Sequence, residues 1–422
     1  MTKRQHDVGA VPLRAGTSDP ALSVLRVTKR QDDAGAGTSL ASNDDILYYN
    51  SSMAFSENNI ERLLEQAEAA GVFNKAVAGF ILPDGSTRII PFNTPEDTVF
   101  DIASLTKVCP TSTLALSYIL EGKLSVDAKV IDYIPELQTN YREDVRIFHL
   151  LTHSLDYRVP MKTLRTLPPE GILDALFTYQ FEKAPGADFN YGNPASVLLG
   201  IILQRLTGKD LQQQGRERFF EPLGMTRSGW DPLTRDWNPI PPNEISPTEI
   251  CEFRGREICG EIHDESAWVL RKLYPVGSAG MFSCVPDLLK FVKMVLNDGT
   301  AVNDAGEKFR VAPAGILELV SNNAFTREDS ARFMPEGSSA ANAASACTAL
   351  GWELNSEKFM GTRVSSHAFG KTGFTGASIV ADPSKGAAVV LLSNFTYPHR
   401  EKNADRIHAF RAILSDTFFG SI

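Results

Sequence analysis

The chain has 422 residues, 43% of them hydrophobic and 22% charged, with a formal net charge of −9 and a pI near 5.4. That acidity argues against a nucleic-acid partner, because phosphate recognition needs a basic face, and no apolar run approaches the roughly 20 residues that span a membrane. Five cysteines, odd in number and without a Cys-x-x-Cys pair, argue against a disulfide framework or a zinc knuckle and predict reduced, mostly buried thiols.

Residues 1–45 read as a disordered leader, rich in Gly, Ser, Ala and charge without sustained periodicity. Its first thirty residues carry six basic side chains against two acidic ones, and the segment beginning at Thr2 recurs at Thr28 as Thr-Lys-Arg-Gln. No secretory signal is visible, because the apolar run Ala21 to Val27 is short and holds Arg26. A cytoplasmic protein is therefore expected, with organellar targeting by the basic leader as the alternative.

Order begins with a helix near Ser56, where Ile60, Leu63, Leu64 and Ala67 follow the i, i+3, i+4, i+7 pattern and Gly71 sits at the C-cap. Lys75 to Leu82 and Thr87 to Phe92 read as a hairpin around Pro83-Asp84-Gly85-Ser86. Ser104 then heads a long apolar helix running towards Gly122, with Pro110 removing a hydrogen bond and bending it. Helices follow through Ile147, Leu150 and Leu151, through Val197, Leu198, Ile201 and Ile202, and from Val285 through Leu288, Leu289, Val292 and Val295. Residues 336–346 form a Ser/Ala-rich loop. Gly376 to Ala381 and Ala387 to Ser393 make a second hairpin, and Ile407, Phe410, Ile413 and Leu414 face one way along a final helix.

Strands near both chain ends thus bracket a helical middle. The fold class expected is α/β of the α+β type: an antiparallel sheet from both chain ends, flanked by helices, with an inserted, mostly helical domain. The sheet domain takes residues 46–115 and 301–422, and the helical domain takes 116–300.

Three short motifs carry chemistry. In Ser104-Leu-Thr-Lys107 the serine and lysine stand one helical turn apart, so a partly desolvated lysine can accept the serine proton, and the helix N-terminus favours a developing oxyanion. Alone this motif is weak, expected by chance about once in such a chain. Tyr191-Gly-Asn193 offers a phenol base and an amide that donates to a substrate carbonyl, although Asn193 before Pro194 also reads as a helix cap. Lys371-Thr372-Gly373 opens the C-terminal strands. A lysine at a sheet edge is usually a solvated charge, but the glycines around it mark close approach of a ligand.

In this order, the three motifs resemble the serine β-lactamase and penicillin-binding-protein superfamily, in the class C-related branch that includes carboxypeptidases and esterases. Phe100 to Lys107, His149-Leu-Leu-Thr-His153, Glu221 to Met225, Gly260 to Glu265 and Gly280 to Ser283 are similar to segments of that branch, so the resemblance spans roughly residues 50–420. It implies a β-lactamase/transpeptidase-like fold and a metal-independent hydrolase with no cofactor. Ser104 would be the nucleophile, Lys107 and Tyr191 the proton-handling pair, and Lys371 the electrostatic partner. Asn193, Thr372, Gly373 and Phe374 would hold a small-molecule or peptide substrate, with the backbone N–H groups of Ser104 and Phe374 as the oxyanion hole. The absence of a Ser-Asp-Asn triplet and of a Glu-based deacylation motif favours the tyrosine-based branch. Lys at position 371, where esterase-like relatives carry His, points to a carboxylate-bearing substrate.

The chain departs from the branch pattern at Ser154-Leu155-Asp156, where Thr-Ser-Gly is expected, and at Pro110. His149 and His153 stand four apart, but packing is the better reading than zinc ligation, since no Glu lies between them. His263-Asp264-Glu265 is expected to fix a loop, and Cys109 to be a buried small side chain. The alternative function is a non-catalytic binding or assembly protein on the same fold, and the intact Ser, Lys, Tyr and Lys set argues against it.

Overall fold

The computed structural model describes residues 55–422 apart from 160, 304, 327–329, 336–346 and 401–402, together with two short strands, β1 (Leu22–Leu25) and β2 (Leu47–Asn50). These two pair antiparallel. The rest of the expected leader, its repeat and the expected loop at 336–346 lie outside the described residues.

The expected first helix is α1 (Glu57–Ala69), which buries Ile60, Leu63, Leu64 and Ala67. The hairpin after it is β3 (Ala76–Ile81) and β4 (Thr87–Phe92), paired antiparallel. Near the C-terminus, β7 (Glu353–Leu354), β8 (Phe369–Thr372), β9 (Ser378–Asp382) and β10 (Ala387–Ser393) complete one six-stranded sheet of order β7-β8-β9-β10-β3-β4. Every neighbouring pair in it is antiparallel, and the ends of the chain meet where β10 pairs with β3.

Successive side chains of a strand point to opposite faces, and the central strands are buried on both. Ala76, Ala78 and Phe80 of β3, with Val389 and Leu391 of β10, pack under α1 and the last helix, α7 (Ala404–Phe419). Val77 and Ile81, with Val390 and Leu392, face the other way into a larger core shared with the helical part. There α6 (Val285–Leu296) lies directly on the sheet through Leu288, Leu289 and Val292. Thus a helix from within 116–300 covers the sheet, while a two-residue pairing of β5 (Phe100–Asp101) with β6 (Phe282–Ser283) ties the segment leading to Ser104 to the same region.

The long helix expected from Ser104 to Gly122 is broken. Ala103–Lys107 makes a single 3-10 turn, Cys109 takes non-helical angles (φ −115, ψ 100), and regular α2 runs only from Thr113 to Leu120. Pro110 is the cause, because its ring disfavours helical angles in the residue before it. Ser112 Oγ and Thr113 Oγ1 donate to the carbonyls of Lys107 and Val108, at 2.6 and 2.7 Å, and so satisfy groups the break would leave bare. The expected helices in the middle are present as α3 (Ile147–Leu151) and α4 (Asn193–Thr207), and α5 (Glu265–Leu270) follows. None of the helices among the described residues is long and apolar enough to cross a membrane.

Gly79 shows how closely α6 and the sheet are fitted. A Cβ there would stand 2.4 Å from Val285 Cγ1 and 3.0 Å from Leu289 Cδ1. Gly79→Ala is expected to lower stability by about 1–3 kcal/mol, measured as a lower midpoint of urea unfolding with an unchanged slope.

Candidate active site

The segment that carries Ser104 is held by its backbone. Buried Asp101 accepts from the Ala103 N–H through Oδ1 and from the His263 N–H through Oδ2, both at 2.7 Å. Burial raises its pKa to about 6, although both N–H contacts pull the other way. The turn they close puts Ala103 at φ 47, a left-handed conformation that a side chain bearing Cβ avoids unless its surroundings impose it. Ser104 follows. Two residues further on, Thr106 Oγ1 accepts from the Met281 N–H at 3.1 Å, and the Ile102 N–H donates to the Met281 carbonyl. This bracing replaces the long helix, so the expected field of a helix N-terminus shrinks to that of one short turn.

Lys107 is buried, and its Nζ donates to Ser104 Oγ at 2.9 Å, Asn193 Oδ1 at 2.9 Å and the Ser278 carbonyl at 2.7 Å. All three ammonium hydrogens have acceptors. Burial pushes the Lys107 pKa down more strongly than Tyr191 raises it, and Lys371 adds to the lowering.

Asn193 opens α4, but Gly192 is the N-cap and no side chain caps that end. The amide of Asn193 is used elsewhere: Nδ2 donates to Asp264 Oδ2 at 2.9 Å. Asp264 in turn caps α5 through the Ala267 N–H at 2.8 Å. The amide expected to reach a substrate carbonyl is therefore already engaged, and the side chain presents its oxygen to Lys107.

Tyr191 leaves part of its ring exposed (42%) while its hydroxyl end is enclosed by Ser104, Lys107 and Lys371. The two ammonium nitrogens lie 5.4 and 4.0 Å from its ring centroid. Burial alone would raise its pKa, but Lys107, Lys371 and the Ser104 hydroxyl outweigh it and bring the phenol below its usual value. His153, at φ 51, packs edge-on against the Tyr191 ring at 4.9 Å. Burial and the two lysines hold its pKa well below 6.5, so it stays neutral at neutral pH. The loop carrying Tyr191 is tied down by the Asn190 N–H donating to the His153 carbonyl at 2.8 Å.

Lys371 is not the solvated edge charge that its sequence position suggests. The edge strand is β7, which covers β8, and Lys371 is buried with its Nζ 2.9 Å from Glu353 Oε1. Burial would lower its pKa, but Glu353 and Tyr191 more than reverse that and raise it. The strand faces explain the placement: Lys371 shares the face of Phe369, which looks into the helical side.

Thr372 ends β8, and Gly373 follows where a Cβ would come within 2.5 Å of the Ile102 carbonyl oxygen. Only glycine lets this strand end close against the nucleophile turn. The Gly373 N–H donates to the Ala377 carbonyl at 2.7 Å, closing a turn whose Phe374 N–H has no acceptor among the described residues. Phe374 exposes its ring (52%), as does Phe189, which meets His153 at 6.4 Å. Exposed aromatic rings thus rim the site.

The structure brings Ser104, Lys107, Tyr191, Asn193 and Lys371 together, with Thr372, Gly373 and Phe374 at the adjoining strand end. Sequence reasoning missed Asp101, Glu353, Ser278 and the capping bond of Asp264. Nothing local marks Glu353: it reaches Lys371 only because Glu353 stands opposite Gly370 in the β7–β8 register.

His149 accepts from the Arg146 N–H at 3.0 Å, and its other ring nitrogen meets the Phe333 carbonyl at 2.9 Å, so both serve packing. Among the described residues Glu249, Cys251 and Glu265 stand close enough to share an ion. Both carboxylates are paired with Arg400, and Glu265 also with Arg165, so the group is charge-compensated.

Comparison with known proteins identifies the family and the fold. Residues 85–413 match the family model described as Beta-lactamase. A relative from Escherichia coli (strain K12), named "Putative D-alanyl-D-alanine carboxypeptidase", is 27% identical over 357 residues, covering 76% of this chain and 75% of its own. Among solved structures, EstCE1, a hydrolase with promiscuous acyltransferase activity, has a TM-score of 0.61 at 20% identity and covers 86% of this chain and 98% of its own. A class C beta lactamase has a TM-score of 0.58 at 16% identity, covering 85% and 96%. Both structures share the fold.

Removing one of the two cations beside Tyr191 tests the electrostatics. Lys371→Met is expected to raise the Tyr191 pKa, because one of the two cations that favour the phenolate is lost, seen as an upward move of the tyrosinate absorbance transition relative to wild type. Because the base form is the deprotonated one, the rising limb of any pH–rate profile should move up with it.

Proposed function

The chain belongs to the beta-lactamase family and is a hydrolase of that fold, and we propose that it cleaves an amide or ester through an acyl-enzyme on Ser104. One observation carries this reading: the Ser104 hydroxyl sits 2.9 Å from Lys107 Nζ, beside a phenol whose acidity is raised by two buried lysines. A serine hydroxyl is a weak nucleophile until an adjacent base takes its proton. Here the Tyr191 oxygen takes it, while the Lys107 ammonium orients Ser104 Oγ and keeps the phenol acidic.

As Ser104 Oγ bonds to the carbonyl carbon, its proton passes to the Tyr191 oxygen and the carbonyl electrons move onto oxygen. The N–H groups of Ser104 and Phe374 receive that oxyanion. Collapse breaks the bond to the leaving amine or alcohol, which takes the proton from Tyr191. A water then attacks the acyl carbon, with Tyr191 accepting its proton; the Ser104 Oγ–acyl bond breaks, that proton passes to Oγ, and the acid product leaves.

For the substrate, the name of the Escherichia coli relative supports a D-alanyl amide, and a β-lactam or carboxylic ester presents the same reacting carbonyl. Exposed Phe189, Tyr191 and Phe374 supply apolar walls for the acyl or leaving group. A carboxylate on the substrate would meet a Lys371 already paired with Glu353, so it would bind in competition with that side chain. The geometry supports carbonyl chemistry more directly than recognition of a negative charge.

Intact-protein mass spectrometry after exposure to a penicillin and, separately, to an activated ester tests the reading. An adduct mapping to Ser104 and absent from Ser104→Ala is expected with at least one reagent. No adduct with either, from folded protein, would leave the non-catalytic alternative standing. A long-lived penicillin adduct would indicate a penicillin-binding protein, rapid turnover a lactamase, and reaction with the ester alone an esterase.

A further inference from the structure

Arg411 lies in α7, on the far side of the strand end from Ser104, and is 3% exposed. Its Nη2 donates to the Gly373 carbonyl at 2.8 Å and to the Ala377 carbonyl at 2.9 Å. Nη1 meets His408 Nδ1 at 3.4 Å, and Nε is buried without a partner among the described residues. Among those residues Arg411 makes no direct ion pair; Glu353 attracts it from beyond contact distance, and burial still lowers its pKa to about 9.

A buried guanidinium normally needs a carboxylate to offset several kcal/mol of lost hydration. This one spends its donors on two backbone carbonyls of one turn. An apolar side chain would fill the same space at lower cost, so the placement calls for another explanation.

The peptide unit supplies it. The carbonyl of Gly373 and the N–H of Phe374 belong to the same planar trans amide and point in opposite directions. A cationic donor on the oxygen draws electron density away from the nitrogen and makes the N–H a stronger donor. We propose that Arg411 is a positioning residue that polarises the Gly373–Phe374 amide, aiming and strengthening the Phe374 N–H as an oxyanion donor. The inference rests on the Ser104 acyl-enzyme proposed above.

Two further contacts hold the aim. The Ala377 carbonyl that accepts from Arg411 also accepts from the Gly373 N–H, so the guanidinium clamps both arms of the turn. On its other side Gly373 is pressed against the Ile102 carbonyl, two residues before Ser104. The two N–H groups of the oxyanion hole are thereby fixed relative to each other from α7.

The test compares Arg411→Lys, Arg411→Gln and Arg411→Met in the full chain. The readouts are the acylation rate with an activated ester, affinity for a boronic acid that forms a tetrahedral adduct on Ser104, ground-state binding of a non-reacting substrate analogue, and the unfolding midpoint. Acylation rate and boronate affinity are expected to fall together by about tenfold in Gln and Met, less than the roughly hundredfold of deleting an oxyanion donor. Ground-state binding should hold, and Lys should restore part of the loss.

Folded Arg411→Gln with wild-type acylation and boronate affinity would overturn the proposal. So would an equal loss of ground-state binding, which marks a merely structural role. If Arg411→Met does not fold, Lys against Gln decides, and Lys no better than Gln overturns it. Failure of the acyl-enzyme reading is separable: it appears in the wild type as no adduct on Ser104, before any Arg411 variant is made.

Discussion

Two lysine ammonium groups buried on either side of one phenol set the terms for the rest of this site. Neither Lys107 nor Lys371 is more than 1% exposed. Burying a charge without compensation costs several kcal/mol, and two like charges near each other add to that. The surroundings are a set of answers to this problem: Asn193 Oδ1 and the Ser278 carbonyl for Lys107, Glu353 for Lys371, and the Tyr191 ring for both. The one local group free to become negative is the phenol between them. The same repulsion that strains the pair therefore makes Tyr191 acidic.

The network reaches outward from there. Asp264 orients Asn193 with one oxygen and caps α5 with the other, so the helix start and the lysine acceptor are set by one carboxylate. Asp101 works similarly at the nucleophile turn, spanning Ala103 and His263. Neither touches Ser104 Oγ: Asp264 orients the amide that holds Lys107, and Asp101 sets the turn that carries the serine. Pro110 makes this bracing necessary, since it ends the helix that would otherwise hold the serine.

Much of the sheet was legible because its signals are local. The short apolar runs of β3 and β10, the Pro-Asp-Gly-Ser turn and the heptad-like spacing of α1 and α7 depend on residues near one another in sequence. The motif residues were legible too, since chemistry restricts them to a few side-chain types at short spacing. Legibility failed where tertiary pairing decided. Lys371 reads as an edge charge until β7 is known to cover it, and Glu353 has no motif of its own. Asn193 reads as a cap because the sequence cannot reveal Asp264 beside its amide. The continuous helix after Ser104 was over-read: apolar residues outweighed a proline whose effect on Cys109 proved decisive.

The pairing of β3 with β10 has a consequence for when this chain can become active. Strands from the first and last quarters of the sequence must meet before the sheet closes, and contacts so distant in sequence form late. Ser104 emerges early in synthesis, but Lys371, the Phe374 amide and the helix behind it are among the last parts made. On the proposed mechanism, a nascent chain therefore carries Ser104 without the apparatus that would arm it. On that reading, reactivity arrives only when the chain is complete.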